Sequence, residues 1–288
     1  MGYAARFLST LCSESSARRV SLAVGSDWGW GVSMLLFLLL LIAMPFGAAY
    51  ASDVDAAIVF AIDASASIDP MMAKLQRDGH ASALSEPIVI AAISSGRNGC
   101  IAVAYIEWAS PGQARTVLPW SRICALEDAL IAAQVIRSKG SDGEHCQSYC
   151  ATSISDAIDV SMGLLDAYQG GAVSKIIDIS ASGTNNDGPP LELSRRRTLR
   201  RGYIINAVVI PQVRTGAIRH LLDYFTRNVI GGAGSFAIES SGAPDYANAL
   251  RRKFLHEISG ASGPRDRYET AAISSPDREY PLRRRPHH

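Results

Sequence analysis

The sequence predicts a doubly wound α/β fold, in which helices cover both faces of a mostly parallel central sheet. Two observations carry this prediction. Strand-like and helix-like segments alternate along the chain from residue 54 to residue 258. Several strand segments, including Val54–Ile62 and Tyr203–Ile210, are apolar on both faces, which is typical of a parallel strand with a helix layer on each side.

The strands are predicted from short apolar runs, and they are the framework of the fold. The first run, VDAAIVFAI, ends at Asp63, and the run YIINAVVI is apolar almost without interruption. The predicted strands are Val54–Ile62, Ile101–Trp108, Arg115–Trp120, Val173–Ile179, Tyr203–Ile210 and Ser235–Glu239.

The helices are predicted from apolar residues at helical spacing. Pro87 divides the first helical segment, and Asp69 before Pro70 is a natural N-cap for it. The helix that begins at Thr152 has Ile154, Ile158, Met162 and Leu165 on one face. The predicted helical segments are Met71–Ser94, Ala125–Ser138, Thr152–Tyr168, Leu191–Arg201, Gly216–Asn228 and Pro244–Ile258.

Residues 1–51 are predicted to be an export signal or a membrane anchor. Arg18 and Arg19 precede the uncharged apolar run Met34–Phe46, and Ala49-Tyr50-Ala51 matches a small-x-small cleavage site. The apolar run is shorter than the roughly twenty residues that a spanning helix needs. A start at Met34, a twin-arginine signal, an uncleaved anchor and a buried core helix are the alternatives. We therefore expect an exported protein, periplasmic or secreted, or one anchored by this segment and facing outward.

The length and the charge of the chain predict one globular domain. The 288 residues carry 28 basic and 27 acidic side chains, and residues 52–288 carry 25 of each. A balanced charge argues against nucleic-acid binding, which usually requires a basic face. Residues 261–288 are rich in charged residues and proline, so they are predicted to be a disordered tail. The domain is therefore predicted to span residues 52–260.

Four cysteines remain once residues 1–51 are set aside: Cys100, Cys124, Cys146 and Cys150. In an oxidising compartment this even number predicts two disulfides, and three pairings are possible. We favour Cys146–Cys150, which are close in sequence within a polar loop, together with Cys100–Cys124. A zinc site that uses His145 is the competing interpretation, but the sequence has no CxxC motif.

The motif that indicates a chemical role follows the first strand. Asp63, Ser65 and Ser67 form a DxSxS pattern at the carboxyl end of an apolar strand. Alternate residues of an extended segment project to the same side, so one carboxylate and two hydroxyls can converge. Such oxygen ligands suit a hard cation such as Mg²⁺. Ligands in doubly wound folds bind beyond the carboxyl ends of the strands, where this motif lies.

These residues resemble the metal-ion-dependent adhesion site (MIDAS) of von Willebrand factor type A domains. The resemblance implies that Thr152, which lies in a second loop, is a further ligand, and that an aspartate from a third loop completes the site. In this chain the matching position of the third loop is Ser182, within the segment Ser182-Gly183-Thr184-Asn185-Asn186. Asp63 is then the one carboxylate of the family motif, and fewer ligand charges predict weaker Mg²⁺ or Mn²⁺ binding. Asp187 is a possible substitute.

The resemblance extends to a subgroup of uncharacterised, exported bacterial proteins with this domain. It covers residues 54–260 and includes four further stretches, namely Leu75–Gly79, Ile101–Trp108, Val229–Phe236 and Arg252–Phe254. It implies a non-enzymatic binding module. The cation, held by Asp63, Ser65, Ser67 and Thr152, would bind an acidic residue of a partner protein.

Two other functions are open. A degenerate, metal-free interaction domain is supported by Ser182 itself. A metal-dependent phosphohydrolase of the haloacid-dehalogenase type also has an aspartate after the first strand, but it needs a second aspartate at the position of Ser65. The chain has neither a G-x-S-x-G elbow nor a phosphate-binding loop, and Gly231–Gly234 is predicted to be a turn. We expect the cluster Arg195–Arg201 to form a solvated helix face, with an acidic partner as the alternative.

Overall fold

A computed structural model of the chain describes residues 53–143, 150–210, 218–240 and 243–262. Within these residues the chain alternates between strands and helices. The strands are β1 (Val54–Asp63), β2 (Ile101–Trp108), β3 (Arg115–Ile123), β4 (Ala172–Ala181), β5 (Ile204–Val209) and β6 (Ala237–Glu239). The helices are α1 (Pro70–Leu84), α2 (Pro87–Ser94), α3 (Leu126–Lys139), α4 (Ile154–Ala167), α5 (Leu191–Arg200), α6 (Ile218–Asn228) and α7 (Ala243–Ser262).

The strands form a single sheet in the order β3-β2-β1-β4-β5-β6. Neighbouring strands are parallel except for the edge strand β3, which runs antiparallel to β2. All ten residues of β1 are buried, because this strand has a neighbour on each side and a helix layer on each face. This arrangement confirms the predicted mostly parallel, doubly wound sheet.

The two faces of the sheet carry separate cores, as the alternation of side chains along a strand requires. Phe60 and Ile62 of β1 pack into the core beneath α1, α2, α3 and α7. Val59 and Ala61 pack into the core beneath α4, α5 and α6. The result is a three-layer sandwich, in which the loops lie at the two ends of the strands.

The first helical segment ends and restarts where the sequence predicts. The carboxylate of Asp69 accepts a hydrogen bond from the amide of Met72 at 2.8 Å, and this cap contributes about 1 kcal/mol to helix stability. Pro87 is the first residue of α2, a position at which the missing amide proton has no cost. The last helix continues to Ser262, beyond the predicted end at Ile258 and two residues into the predicted tail.

A disulfide between Cys100 and Cys124 joins the residue before β2 to the residue after β3. This pairing is one of the two that we favoured from the sequence. Cys150 is also disulfide-bonded. Cys146 lies outside the described residues, and the favoured Cys146–Cys150 pairing stays a prediction.

The predicted export segment, residues 1–51, and the predicted tail from residue 263 onward also lie outside the described residues. Among the helices that the structure describes, none combines the length and the apolar character needed to cross a membrane.

Candidate functional site

The candidate site lies at the carboxyl edge of the two central strands. In the parallel pair β1–β4, Ile62 is in register with Ser180, so Asp63 and Ser182 leave the sheet side by side. The loop after β1 is held in place by two main-chain hydrogen bonds. The amide of Ala64 donates to the carbonyl of Trp108, and that of Ala66 donates to the carbonyl of Cys150. Three segments of the chain therefore meet at Asp63.

The carboxylate of Asp63 is buried and has hydrogen bonds on both oxygens. Oδ1 accepts from the amide of Ser65 at 2.9 Å. Oδ2 accepts from both the amide and the hydroxyl of Ser182, each at 3.1 Å. Burial raises the pKa of Asp63 above its ordinary value, and the hydrogen bonds from Ser65 and Ser182 oppose this rise. Ser182 therefore directly contacts the carboxylate that the sequence places at the centre of the site.

A chain of hydroxyl groups extends from Ser182 across the site. The Oγ atoms of Ser182 and Ser67 lie 3.1 Å apart, as do those of Ser67 and Ser65. The hydroxyl of Thr152 donates to Oγ of Ser65 at 3.4 Å. The structure thus brings all five sequence-predicted residues into one connected cluster, of which only Ser67 is exposed. The cluster opens to solvent on the side of Ser67.

Two asparagines that are not among the predicted site residues, Asn185 and Asn186, position the Thr152 loop. Oδ1 of Asn186 accepts a hydrogen bond from the amide of Thr152 at 2.8 Å, and the amide of Asn186 donates to the Thr152 carbonyl at 2.9 Å. Oδ1 of Asn185 accepts from the amide of Ser155, in the first turn of α4, at 2.9 Å. The signal was present in the sequence as two consecutive asparagines in a polar loop, a residue type that bonds neighbouring backbone.

A second buried network supports Asp63 from below. Nε2 of Gln76 on α1 donates to the main-chain carbonyl of Asp63 at 2.9 Å. Oε1 of Gln76 accepts from the hydroxyl of Ser180 on β4 at 2.7 Å, and that hydroxyl lies 3.0 Å from the phenol oxygen of Tyr246 on α7. Helical periodicity placed Gln76 on α1, but only the packing of α1 against the sheet places its amide beneath the site.

The other acidic residues near the third loop lie elsewhere. The carboxylate of Asp187 accepts a hydrogen bond from the amide of Gly188 and contacts none of the five site residues. Asp178 is wholly buried on the α7 side of β4, where it pairs with Lys253. The described residues hold no group of three or more His, Cys, Asp or Glu side chains that could bind a metal. The site therefore has one carboxylate and four hydroxyls.

This donor set fits a hard divalent cation that binds weakly. All five side chains supply oxygen, which Mg²⁺ and Mn²⁺ prefer, and the hydrogen bonds that Asp63 accepts from the described residues come from the neutral Ser65 and Ser182. The single carboxylate limits the affinity. Asp63, Ser65, Ser67 and Thr152 would hold the ion, and Ser182 would lie beside them.

The sequence does not decide whether Trp108 and Trp120 lie in the core or beside a binding surface. In the structure Trp108 is fully buried, whereas Trp120 is half-buried and packs against the same core. Trp108 is buried beneath the α4 side of the sheet, and Trp120 packs against Tyr168 with a ring-centroid distance of 4.8 Å. Glu107, next to Trp108, is buried and accepts a hydrogen bond from the amide of Ser141 at 2.6 Å.

The predicted turn at Gly231–Gly234 contains two residues with positive φ, Gly232 and Gly234, as a tight turn requires.

Three neighbouring acids pair with four of the five arginines in the cluster Arg195–Arg201, which covers the second half of α5 and the residue after it. Arg197 pairs with Asp159 at 2.6 Å, and Arg201 pairs with Asp166 at 2.9 Å. Glu192 pairs with two more of the arginines. The expectation of a solvated helix face agrees with these pairs.

Comparisons with known proteins agree on the fold. The family model described as a protein of unknown function, DUF1194, matches residues 53–262. No curated protein sequence matches the chain significantly. The pilus adhesin SpaC from Lactobacillus rhamnosus GG is similar in structure, with a TM-score of 0.52, 12% sequence identity, and coverage of 72% of this chain and 31% of that one.

Proximal thread matrix protein 1 from the mussel byssus, in a structure described as having a zinc-occupied MIDAS motif, is similar with a TM-score of 0.50 and 16% identity. It aligns with 72% of this chain, which spans 48% of the mussel protein. A von Willebrand factor type A structure from Catenulispora acidiphila has 13% identity, a TM-score of 0.45, and coverage of 74% of this chain and 43% of that one. The chain thus spans less than half the length of each of these proteins.

Proposed function

Because this chain belongs to the DUF1194 family and has a von Willebrand factor type A-like fold, we propose that it is a non-enzymatic protein-binding module. Its binding surface is the carboxyl edge of the central sheet, around Asp63. The observation that carries the proposal is the convergence of Asp63, Ser65, Ser67, Thr152 and Ser182 from three separate loops. A cluster of this kind at the end of the central strands is where doubly wound folds bind ligands.

We propose that the module binds its partner together with a divalent cation, Mg²⁺ or Mn²⁺. When bound, the cation supplies an open coordination position for a glutamate or aspartate of the partner protein. Asp63 provides the charge, Ser65, Ser67 and Thr152 provide neutral oxygens, and the exposed side of Ser67 faces the partner. Two proteins of similar structure, a pilus adhesin and a matrix protein with a MIDAS motif, support this proposal.

Calorimetric titration of the full chain with Mg²⁺ and with Mn²⁺ tests the cation. We expect binding in the millimolar range and an accompanying rise in the thermal unfolding temperature, because the site has one carboxylate. Asp63→Ala should abolish both effects, since it removes that carboxylate. Asp187→Ala is the matched control and should leave both effects unchanged. The absence of heat and of thermal stabilisation at millimolar metal would rule out the metal-dependent form of the proposal.

A specific observation favours a second form, a metal-free interaction domain. The hydroxyl and amide of Ser182 already satisfy Oδ2 of Asp63, and the serine hydroxyls satisfy one another. Such a network is complete without an ion, because each buried oxygen has a partner. A partner captured by the chain and retained in the presence of a chelator would favour this form, whereas release by the chelator would favour the cation.

We also propose that the module is exported. The Cys100–Cys124 disulfide supports this, because disulfides persist in oxidising compartments and are rare in the cytosol. Fractionation of cells that express the full chain, followed by thiol labelling, tests the proposal. Export predicts that Cys100 and Cys124 resist labelling until a reductant is added and that the protein fractionates outside the cytosol.

A further inference from the structure

A second cluster of charged side chains lies on the opposite side of β4 from α4, beneath the last helix. Lys253 of α7 is wholly buried, and its Nζ lies 2.7 Å from Oδ2 of Asp178 on β4. The same Nζ donates to Oε1 of Glu257, one turn further along α7. Oε1 of Glu257 also accepts from Nδ2 of Asn206 on β5 at 2.7 Å. We call Asp178, Lys253, Glu257 and Asn206 the helix latch, since they join α7 to two strands.

The helix latch holds two acids and one base. Oδ1 of Asp178 and Oε2 of Glu257 are buried without a hydrogen-bond partner among the described residues. With both carboxyls ionised, the latch would carry a net negative charge where no water reaches it. A proton on either unpartnered oxygen would make the latch neutral.

No other described group supplies the missing positive charge. Helix α1 contributes His80, which is wholly buried, donates a hydrogen bond from Nδ1 to the Gln76 carbonyl at 2.8 Å, and has no partner for Nε2 among the described residues. Burial and, to a smaller extent, the charge of Lys253 lower the pKa of His80 to about 3 against the opposing hydrogen bond to Gln76, so the imidazole is neutral. The phenol of Tyr246, also on α7, faces Asp178. Strand β1 contributes Phe60, and the loop before β6 contributes the ring of Phe236, so neither supplies a charge. Helix α2 has no titratable side chain.

We propose that the helix latch is a pH-dependent device that carries one proton more than its ionised side chains would hold in water. Holding this proton costs more free energy as the pH rises toward neutral, and losing it leaves an uncompensated buried negative charge. The docking of α7 against β4 and β5 therefore weakens up to about pH 7 and stays weak above it. The geometry points to this because the two acids and the one base share a single buried space between β4 and α7.

The direction of the pKa shifts agrees with this device. Burial raises the pKa of Glu257 to about 7, with Lys253 opposing the rise and Asp178 adding to it. Burial also raises the pKa of Asp178. A carboxyl whose pKa is higher in the folded than in the unfolded chain stabilises the fold at low pH, and this contribution is lost as the pH rises through the folded pKa. The free energy of unfolding should therefore fall progressively as the pH rises from the ordinary glutamate pKa to about pH 7.

The test compares the full chain with its Glu257→Gln variant, which keeps the shape of the latch and mimics the protonated carboxyl. Urea unfolding of both proteins is followed by tryptophan fluorescence from about pH 5 to pH 8. The ratio of unfolding constants, full chain over variant, should rise about tenfold per pH unit until it levels near pH 7, because one proton is released. The ratio removes the contributions of His80 and Asp63, which both proteins share.

Asp178→Asn is the second variant, since it leaves Lys253 and Glu257 as a neutral pair and should give the same rising ratio. Glu127→Gln, an exposed change in the first turn of α3, is the matched control and should give a ratio independent of pH. Hydrogen exchange should show the loss of protection concentrated in α7. A ratio that stays constant with pH for both latch variants, or one that also rises for the control, would overturn the proposal.

Discussion

Restoring a carboxylate at position 182 is the perturbation that most directly tests the chemistry of the candidate site. The hydroxyl of Ser182 lies 3.1 Å from Oδ2 of Asp63, so Ser182→Asp would place a second carboxylate about 4 Å from the first. Two unit charges at that distance repel by about 4 kcal/mol at an effective dielectric constant of about 20. We expect the variant to be about 2–4 kcal/mol less stable than the parent at pH 8 without metal.

The same substitution should strengthen cation binding, because a second ligand charge attracts the ion. Mg²⁺ at a hundred times the dissociation constant would stabilise the variant by about 2.7 kcal/mol, which offsets most of the repulsion. Urea unfolding with and without Mg²⁺ measures both quantities. Ser182→Asn is the control, since it has the same shape without the charge. The reasoning is refuted if Ser182→Asp is no less stable without metal than Ser182→Asn, or if Mg²⁺ stabilises the two variants equally.

Two further predictions concern the framework around the site. Asn186→Ala removes the acceptor for the Thr152 amide, so it should lower the free energy of unfolding by about 1 kcal/mol and weaken any Mg²⁺ binding. Thr184→Ala, an exposed change in the same loop, is the control and should alter neither quantity. Unfolding and Mg²⁺ titration of both variants measure the two effects. Cys100→Ser combined with Cys124→Ser opens a loop with a sequence separation of 24, which should cost about 3 kcal/mol in urea unfolding. Reduction of the parent chain, which also breaks the disulfide of Cys150, should cause a loss of at least this size, and a double variant as stable as the parent would contradict the prediction.

The sequence predicts most of the fold because the patterns involved are local. The apolar run that ends at Asp63 is long enough and uniform enough to indicate a strand buried on both faces, and β1 is that strand. Pro87 marks the boundary between α1 and α2, because a proline has no amide proton to donate to the preceding turn. The antiparallel direction of β3 is not a local property, since it depends on the connection from β2 and on the edge that remains free.

The residues of the candidate site could be predicted from the sequence, but the contacts that support them could be predicted only in part. The DxSxS pattern names Asp63, Ser65 and Ser67, and the resemblance to von Willebrand factor type A domains adds Thr152 and Ser182. The structure brings these five residues together. The supporting residues were not predictable in the same way. Gln76 and Asn186 each act through a hydrogen bond to the backbone of a distant segment, and no spacing in the sequence reports such a pair.

Sequence alone therefore determined the order of strands and helices along the chain, the balanced charge and the even number of cysteines after residue 51, because each is a property of neighbouring residues or of composition. The resemblance to a family motif added the missing aspartate at position 182. Only the tertiary structure decided what Ser182 does in place of that aspartate, which is to donate two hydrogen bonds to Asp63. It alone also brought Asp178 to Lys253 and Glu257, which lie far apart in sequence on a strand and a helix. The physical reason is that burial and electrostatic pairing depend on which elements pack together, and long-range packing is decided by the whole chain.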